Sequence, residues 1–510
     1  MARRDLLAGG VVLASAALGG CGAPARVPGE VFSLGVASGD PLPDSVVLWT
    51  RLAPEPLAGG GMPPRAVEVQ WEIAEDEGFR RVVRRGTEWA VPELAHSVHA
   101  EPGGLRPGAS YFYRFRAGDQ ISPVGRTRTG PDLGSSPGRL RLAFVSCQDW
   151  QGGYYSAYRG IAGEDLEFVL HLGDYIYEYA PRPGSPRQHD GPELDSLESY
   201  RNRHALYRTD PDLRAAHAAH PFVLTWDDHE VDNNYANDIP EDTTGPAQGS
   251  RAEFLNRRAR AYQAYYEHLP LRRSQRPAGP SALLYRRLRF GDLAEFAVLD
   301  TRQYRTDQPC GDGMKPRCAA ALDPAATMTG PVQERWLLEG LDRSGARWNV
   351  IAQQTMFAQY DFAAGPDAVF NLDQWDGYVA ARARILGFLA QRRPPNPVVL
   401  SGDIHSSWVH DLKADFADPR SATVGTEFVG TSISSRFPAS LSSSVTAALA
   451  DNPHTRFFNG DLRGYIRCDA DRQRWTSAFR VVDTVLTPGA ATRTLAEFTV
   501  ENGHPGAQRV

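Results

Sequence analysis

Lysine is nearly absent from this 510-residue chain: Lys315 and Lys413 are the only two, and arginine makes up the rest of its 55 basic residues. The skew reflects codon usage more than function, although arginine suits the recognition of phosphate oxyanions. A basic excess is missing as well, because 61 acidic residues leave a net charge of −6. Without surplus cations to neutralise phosphates, nucleic acid is excluded as the main partner. No stretch after Gly20 is long and apolar enough to span a bilayer. The sequence has no Walker loop, and its one Gly-x-Ser-x-Gly match, Gly134 to Gly138, falls in a stretch of turn formers and not at a strand-to-helix elbow, so it carries neither signature of a serine hydrolase or a P-loop enzyme. Nor is it poor in apolar residues: 42% hydrophobic against 23% charged excludes wholesale disorder. The length predicts two or three domains at roughly 100–200 residues each.

The start of the chain reads as an address. Residues 1–25 combine Arg3-Arg4 and Leu6-Leu7 with a short apolar run from Ala8 to Gly20. That pattern is a bacterial export signal of the twin-arginine type, with the twin-arginine machinery as its partner. A plain secretory signal with incidental arginines is the alternative. Leu18-Gly19-Gly20-Cys21 resembles a lipobox, which makes Cys21 a lipidation candidate and a lipid tether to the membrane one expected outcome; an incidental cysteine is the other. The mature protein is expected to be periplasmic, secreted or lipid-anchored at the cell surface.

Export to an oxidising compartment gives the cysteines a use. Cys310 and Cys318 flank a seven-residue turn and are expected to close a small disulfide loop. Cys468 reads as a buried apolar filler. Cys147 is left over.

Two regimes follow along the chain. Residues 30–129 read as an all-β domain: Val46–Thr50, Val67–Ile73 and Tyr111–Phe115 are short strands between Gly/Pro clusters, as in a fibronectin-like β-sandwich. A linker rich in turn formers spans Thr129 to Gly138. From residue 139 to 510, apolar runs alternate with helix-like stretches such as Arg251–Tyr266 and Val332–Leu341, which predicts an α/β domain. Several runs end abruptly in metal-competent residues. Leu142–Val145 leads to Cys147, Phe168–Leu172 to Asp174 and Tyr177, Phe222–Trp226 to Asp227-Asp228-His229-Glu230, and Val398–Leu400 to Asp403 and His405. Because ligands bind at the carboxyl ends of strands in open α/β sheets, these residues are expected to converge.

Their chemistry is mixed. Asp174 is a bridging carboxylate, and Tyr177 supplies a phenolate, a good ligand for trivalent iron and a poor one for calcium. Asp227 and Asp228 repel one another unless a proton, an arginine or a cation intervenes, and a structural ion-pair network is their alternative role. Asn233 and Asn234 add neutral oxygens suited to calcium. Asp403-x-His405 reads as a carboxylate and an imidazole on one side of an extended chain. A Cys147 thiolate favours a transition metal over a second calcium. His229 reads as an acid or a phosphate-facing group. Hard and soft ligands together point to a two-metal or larger cluster, and thus to hydrolysis by metal-activated water at a phosphoester.

These motifs resemble the PhoD-like alkaline phosphatases, a branch of the calcineurin-like metallophosphoesterases. The resemblance rests on Phe32–Pro41, Val47–Leu52, Ser146–Asp149, Leu172–Tyr177, Thr225–Glu230, Leu299–Tyr304, Ala352–Gln354 and Ser401–Trp408. It implies a β-sandwich followed by a double β-sheet flanked by helices, with Fe3+ and Ca2+ as cofactors. It further implies that Cys147, Asp174, Tyr177 and His405 hold iron. Asp174 bridges to calcium, with Asn234, Asp403 and either Asp227 or Asp228 completing that site. His229 takes a catalytic role towards substrate or leaving group. The wider group has a metal-binding histidine where this chain has Gln353-Gln354, which fits a cation harder than zinc. The expected activity is an exported alkaline phosphatase acting on phosphomonoesters, with some diesters cleaved, by a protein taken as a monomer. A phosphodiesterase or D-type phospholipase on the same scaffold is the first alternative. A surface-binding protein with a vestigial metal site is the second.

Overall fold

The computed structural model describes residues 29–241, 250–418 and 420–510. The expected export signal and Cys21 lie outside the described residues. Among those described, no helix is long and apolar enough to cross a membrane.

Two large sheets pack face to face. The first has ten strands, in the order His504–Arg509, Thr492–Glu501, Arg474–Val482, Arg463–Asp471, Arg139–Val145, Phe168–His171, Pro221–Leu224, Val36–Gly39, Val47–Arg51 and Ser97–Ala100. The second has seven: Arg286–Phe290, Ala294–Val298, Trp348–Ala352, Pro397–Ser401, Thr423–Val429, Ser407–Lys413 and Thr455–Asn459. Side chains of a strand alternate between faces, so each apolar run serves two cores. Leu142, Phe144, Leu170 and Val223 meet Phe296, Val350, Val398 and Leu400 between the sheets. Val145, Val169, Phe222 and Leu224 face outward, onto helices Ser156–Ala162, Leu197–Arg208, Pro211–Ala219 and Arg251–His268. On the far side, Ala297, Ile351 and Val399 pack beneath helices Gly330–Arg343 and Val379–Arg392. Burial on both faces is why these runs are continuously apolar rather than alternating.

The helices begin where capping chemistry allows. Ser250 and Glu253 form a reciprocal capping box for Arg251–His268, and Asp210 caps the helix that opens with Pro211.

The N-terminal strands form a sandwich, but its two sheets are unequal. One is a separate sheet of Val82–Ala90, Val67–Ala74, Ser110–Ala117 and two short strands. Opposite it stand Val36–Gly39, Val47–Arg51 and Ser97–Ala100, with Val36, Leu48 and Val98 packed on Val69, Ile73 and Tyr113. These three strands belong to the ten-stranded sheet: Ser38 pairs in parallel with Pro221, and Gly39 with Phe222. Polar contacts reinforce the join. Trp49 Nε1 donates to the Glu267 carbonyl at 3.0 Å. His99 Nε2 lies 2.9 and 3.0 Å from the carbonyls of Tyr266 and Leu269, and its ring stacks on Tyr266 at 4.2 Å. Burial holds His99 neutral, pushed down to about 4.

Candidate metal centre

The carboxyl ends of three adjacent parallel strands of the ten-stranded sheet, and of Pro397–Ser401 in the seven-stranded sheet, deliver the candidate ligands to one place. Gly173 makes the turn after Phe168–His171 possible. Its φ is +114°, and a Cβ there would stand 2.5 Å from Asp227 Cβ and 2.6 Å from Asp227 N. Glycine is therefore what lets the Asp174 and Asp227 turns touch. Glu230 locks the two turns together, accepting the backbone N–H groups of Tyr175 at 2.6 Å, Asp227 at 2.9 Å and Asp174 at 3.2 Å.

Five of the expected ligands stand in the left-handed region: Cys147 at φ +59°, Asp174 at +57°, Asn234 at +49°, Asp403 at +64° and His405 at +58°. Such conformations are disfavoured away from glycine and persist only where the surroundings over-determine them, often at functional sites. Here they also correct one expectation. Asp403 and His405 do not ride an extended chain; two left-handed residues bracket Ile404, whose N–H turns back to the Gly402 carbonyl at 2.8 Å.

Three overlapping groups result. Cys147, Asp174 and His405 bring one donor atom each within 4.8 Å of the others, as do Asp174, Asp228 and His229, and also Asp227, Asp228 and Asp403. Tyr177 joins the first group: its hydroxyl donates to Asp174 Oδ2 at 2.8 Å and lies 3.2 Å from His405 Nε2. Ser435 Oγ stands 2.8 Å from the same hydroxyl and 2.9 Å from the Cys147 carbonyl. Asn234 borders the last group, its backbone N–H donating to Asp228 Oδ2 at 2.7 Å. The structure thus gathers every expected site residue from Cys147 to His405.

The donor set fits cations. Asp174 Oδ1 and Asp228 Oδ1 are buried with no hydrogen-bond partner among the described residues. A buried, unpaired carboxylate oxygen is costly unless a proton or an ion meets it. Burial, with Asp174 close by, pushes the Cys147 thiol and the Tyr177 phenol well up, so a cation is needed for either to ionise. Burial likewise raises Asp174 well above the usual carboxylate range and lifts Asp403 to about 7. Asp228 differs: against burial, Arg302 and His229 hold it below its ordinary value. Asp227 is instead engaged by Arg302 Nε, and burial raises it. Of the neighbouring pair, Asp228 is the one with a fully buried oxygen that meets no partner, while Asp227 shares its carboxylate between Arg302 and the third group.

Around these groups lies a set of positioning contacts. His405 Nδ1 stands 3.1 Å from the Arg436 carbonyl. His229 Nδ1 lies 2.8 Å from Glu178 Oε2, and its ring stacks on Tyr177 at 4.1 Å. Against its burial, Glu178, Asp228 and Asp174 push His229 well above its ordinary value. Gln353 and Gln354 hold structure and enter none of the three groups: Gln354 Nε2 donates to Thr225, Trp226 and Leu299, and Gln353 Nε2 to Thr355 and Ser401.

Sequence reasoning missed Arg302, Asp373 and Glu178. Arg302 is wholly buried and forks onto Asp373 with two bonds of 2.8 Å. The motif Leu299–Tyr304 drew attention to this stretch without giving Arg302 a role. Glu178 follows Tyr177 directly, and its position beside a strand-end ligand is the signal that could have found it. The expected disulfide is present, joining Cys310 and Cys318, while Cys147 and Cys468 are free and buried.

Comparison with known proteins agrees with this geometry. Residues 142–479 match the PhoD-like phosphatase family, and residues 19–131 match the PhoD-like phosphatase N-terminal domain. Over 486 residues the chain is 51% identical to alkaline phosphatase D of Bacillus subtilis (strain 168), covering 94% of this chain and 82% of that one. The solved structure of PhoD superposes with a TM-score of 0.91 at 50% identity, covering 95% of this chain and 93% of that chain.

Proposed function

This chain belongs to the PhoD-like phosphatase family and is a phosphoric ester hydrolase; from that premise we propose that it is an exported alkaline phosphatase releasing inorganic phosphate from phosphomonoesters. The observation that carries the metal-dependent form of this reading is the pair of buried, unpartnered oxygens of Asp174 and Asp228 amid mixed hard and soft donors. Cys147, Asp174, Tyr177 and His405 would hold a ferric ion. Asp174, Asp228, Asn234 and Asp403 would hold calcium, leaving Asp227 to Arg302. When bound, such a pair of ions lowers the pKa of water and offsets charge on the phosphoryl oxygens of an in-line displacement.

The chain's own residues do the rest. Glu178 orients the His229 ring through Nδ1, so Nε2 is the nitrogen left to face a phosphoryl oxygen or the departing alkoxide. The Arg436 carbonyl fixes His405 with Nε2 towards the Asp174 and Tyr177 oxygens. Arg302 offsets the charge of Asp227, so that the acidic cluster can be buried. Export is supported by Arg3-Arg4 and by the Cys310–Cys318 bridge, which suits an oxidising compartment.

A paired rate assay tests the reading. Folded protein with calcium, at mildly alkaline pH, is given a nitrophenyl phosphomonoester and the matching bis-ester. The faster rate is expected on the monoester. A dominant diester rate would move the assignment to a phosphodiesterase.

A further inference from the structure

The turn closed by the disulfide lies against one edge of the candidate calcium site. Cys310 and Cys318 are joined with 5.8 Å between their Cα atoms. From Cys310 to Gly313, four successive residues have positive φ: 62°, 73°, 58° and 78°. Glycine accepts this region, whereas Cys310 and Asp312 need surroundings that enforce it. Several contacts supply that enforcement besides the bridge. Lys315 Nζ donates to the carbonyls of Gly311 at 2.9 Å and Cys310 at 3.3 Å. The Leu372 N–H donates to the Gly313 carbonyl at 3.1 Å, and Met314–Lys315 pairs with Phe370–Asn371.

What this turn delivers to the site is one carboxylate. Asp312 Oδ2 accepts a hydrogen bond from Asn234 Nδ2 at 2.7 Å. Gln308, just before the turn, donates to the Asn234 carbonyl at 2.5 Å and to Asp373 Oδ1 at 2.8 Å. The Asn234 N–H is committed to Asp228 Oδ2. A side-chain amide has one accepting end and one donating end, and an ionised carboxylate only accepts. With the amino end taken by Asp312, the amide oxygen is the atom left for a hard cation, which binds oxygen and not NH2.

We infer that Asp312 is a positioning residue, which fixes the Asn234 amide with its oxygen available to calcium, and that the Cys310–Cys318 bridge holds it in place, so that calcium affinity depends on the disulfide. The inference rests on the reading of Asn234 as a calcium ligand.

The test measures calcium binding by equilibrium dialysis of the iron-containing enzyme, with iron content and the melting curve recorded for each variant. Asn234→Ala comes first and is expected to weaken calcium binding; if it does not, the ligand reading fails and this inference falls with it. Asp312→Ala is expected to weaken calcium binding by about 10–100-fold, as loss of an outer partner does, at unchanged iron content. Asp312→Asn keeps an accepting oxygen and is expected to recover most of that loss. The double variant Cys310→Ser/Cys318→Ser is expected to weaken binding in the same sense, and adding Asp312→Ala to it should cost little more, since the two changes act through one contact. If Asn234→Ala weakens binding while Asp312→Ala does not, Asp312 has no positioning role although the ligand reading stands. Equal losses in Asp312→Asn and Asp312→Ala would make the effect one of charge and overturn positioning. Wild-type calcium affinity in the serine double variant would remove the bridge from the account.

Discussion

The Tyr177 hydroxyl donates to Asp174 Oδ2 at 2.8 Å, although the two residues are three apart on a chain that has already left its strand. The contact exists because Asp174 turns through the left-handed region, folding the chain back so that phenol and carboxylate meet His405. One oxygen of Asp174 is thereby occupied and the other is left buried without a partner. The residue sits at the centre of the overlapping donor groups rather than on the rim of one.

Asp174→Asn is accordingly expected to lower phosphatase activity and metal content together, by more than the 10–100-fold that loss of an outer contact costs. Phosphate release and elemental analysis on the same preparation check this. Full activity with full metal content would displace Asp174 from the mechanism.

Arg302 supports the site from below. It holds Asp373 with two bonds and Asp227 with a third, all wholly buried. Arg302→Met removes the cation beside Asp227 and leaves Asp373 to Arg305 alone, at 2.7 Å, and is expected to cost about 3–5 kcal/mol of unfolding free energy. Arg302→Lys, which keeps the charge but cannot fork, is expected to recover part of that. Denaturant unfolding measures both. A methionine variant as stable as the parent would mean that something other than this arginine balances the two carboxylates.

Acid is expected to weaken the join between the N-terminal sandwich and the helix Arg251–His268. His99 titrates near 6.5 when unfolded and is pushed down by burial to about 4 in the fold. Protonation therefore favours the unfolded chain. The contribution of His99 is complete above about pH 6.5 and is lost as pH falls towards 4, a span worth ~3 kcal/mol. His99→Gln retains a donor for the Tyr266 and Leu269 carbonyls without the titration. Melting temperatures between pH 7.5 and pH 5 should fall less steeply in the variant. Identical slopes would show that the acid sensitivity lies elsewhere.

Much of this was legible in the sequence, for a physical reason. Strands buried on both faces must be apolar throughout, so a cysteine, aspartate or histidine that stops such a run marks the strand's end and, in an α/β sheet, the ligand crevice. Cys147, Asp174 and Asp228 were visible in this way. The turns beyond the strands were not, because residue type alone does not announce a left-handed aspartate or histidine; Asp403 and His405 look extended on paper. Arg302 escaped for another reason. Its role is set by Asp373, 71 residues further on, in a loop with no periodic pattern. The sandwich was legible from its alternation, but its union with the larger sheet was not. The apolar run before Asp227 says that the strand is buried and says nothing of which strand lies beside it.

That union has a consequence for how the chain matures. Val36–Gly39 is among the first strands synthesised, yet its parallel neighbour Pro221–Leu224 is made only after the whole of the other N-terminal sheet. Until then one sheet of the sandwich has an open flank with unpaired N–H and C=O groups, the kind of edge that recruits stray strands. The N-terminal segment is thus no independent cartridge to be removed or grafted. Without it, the strand leading to Asp227 and Asp228 would itself become the exposed border of the catalytic sheet.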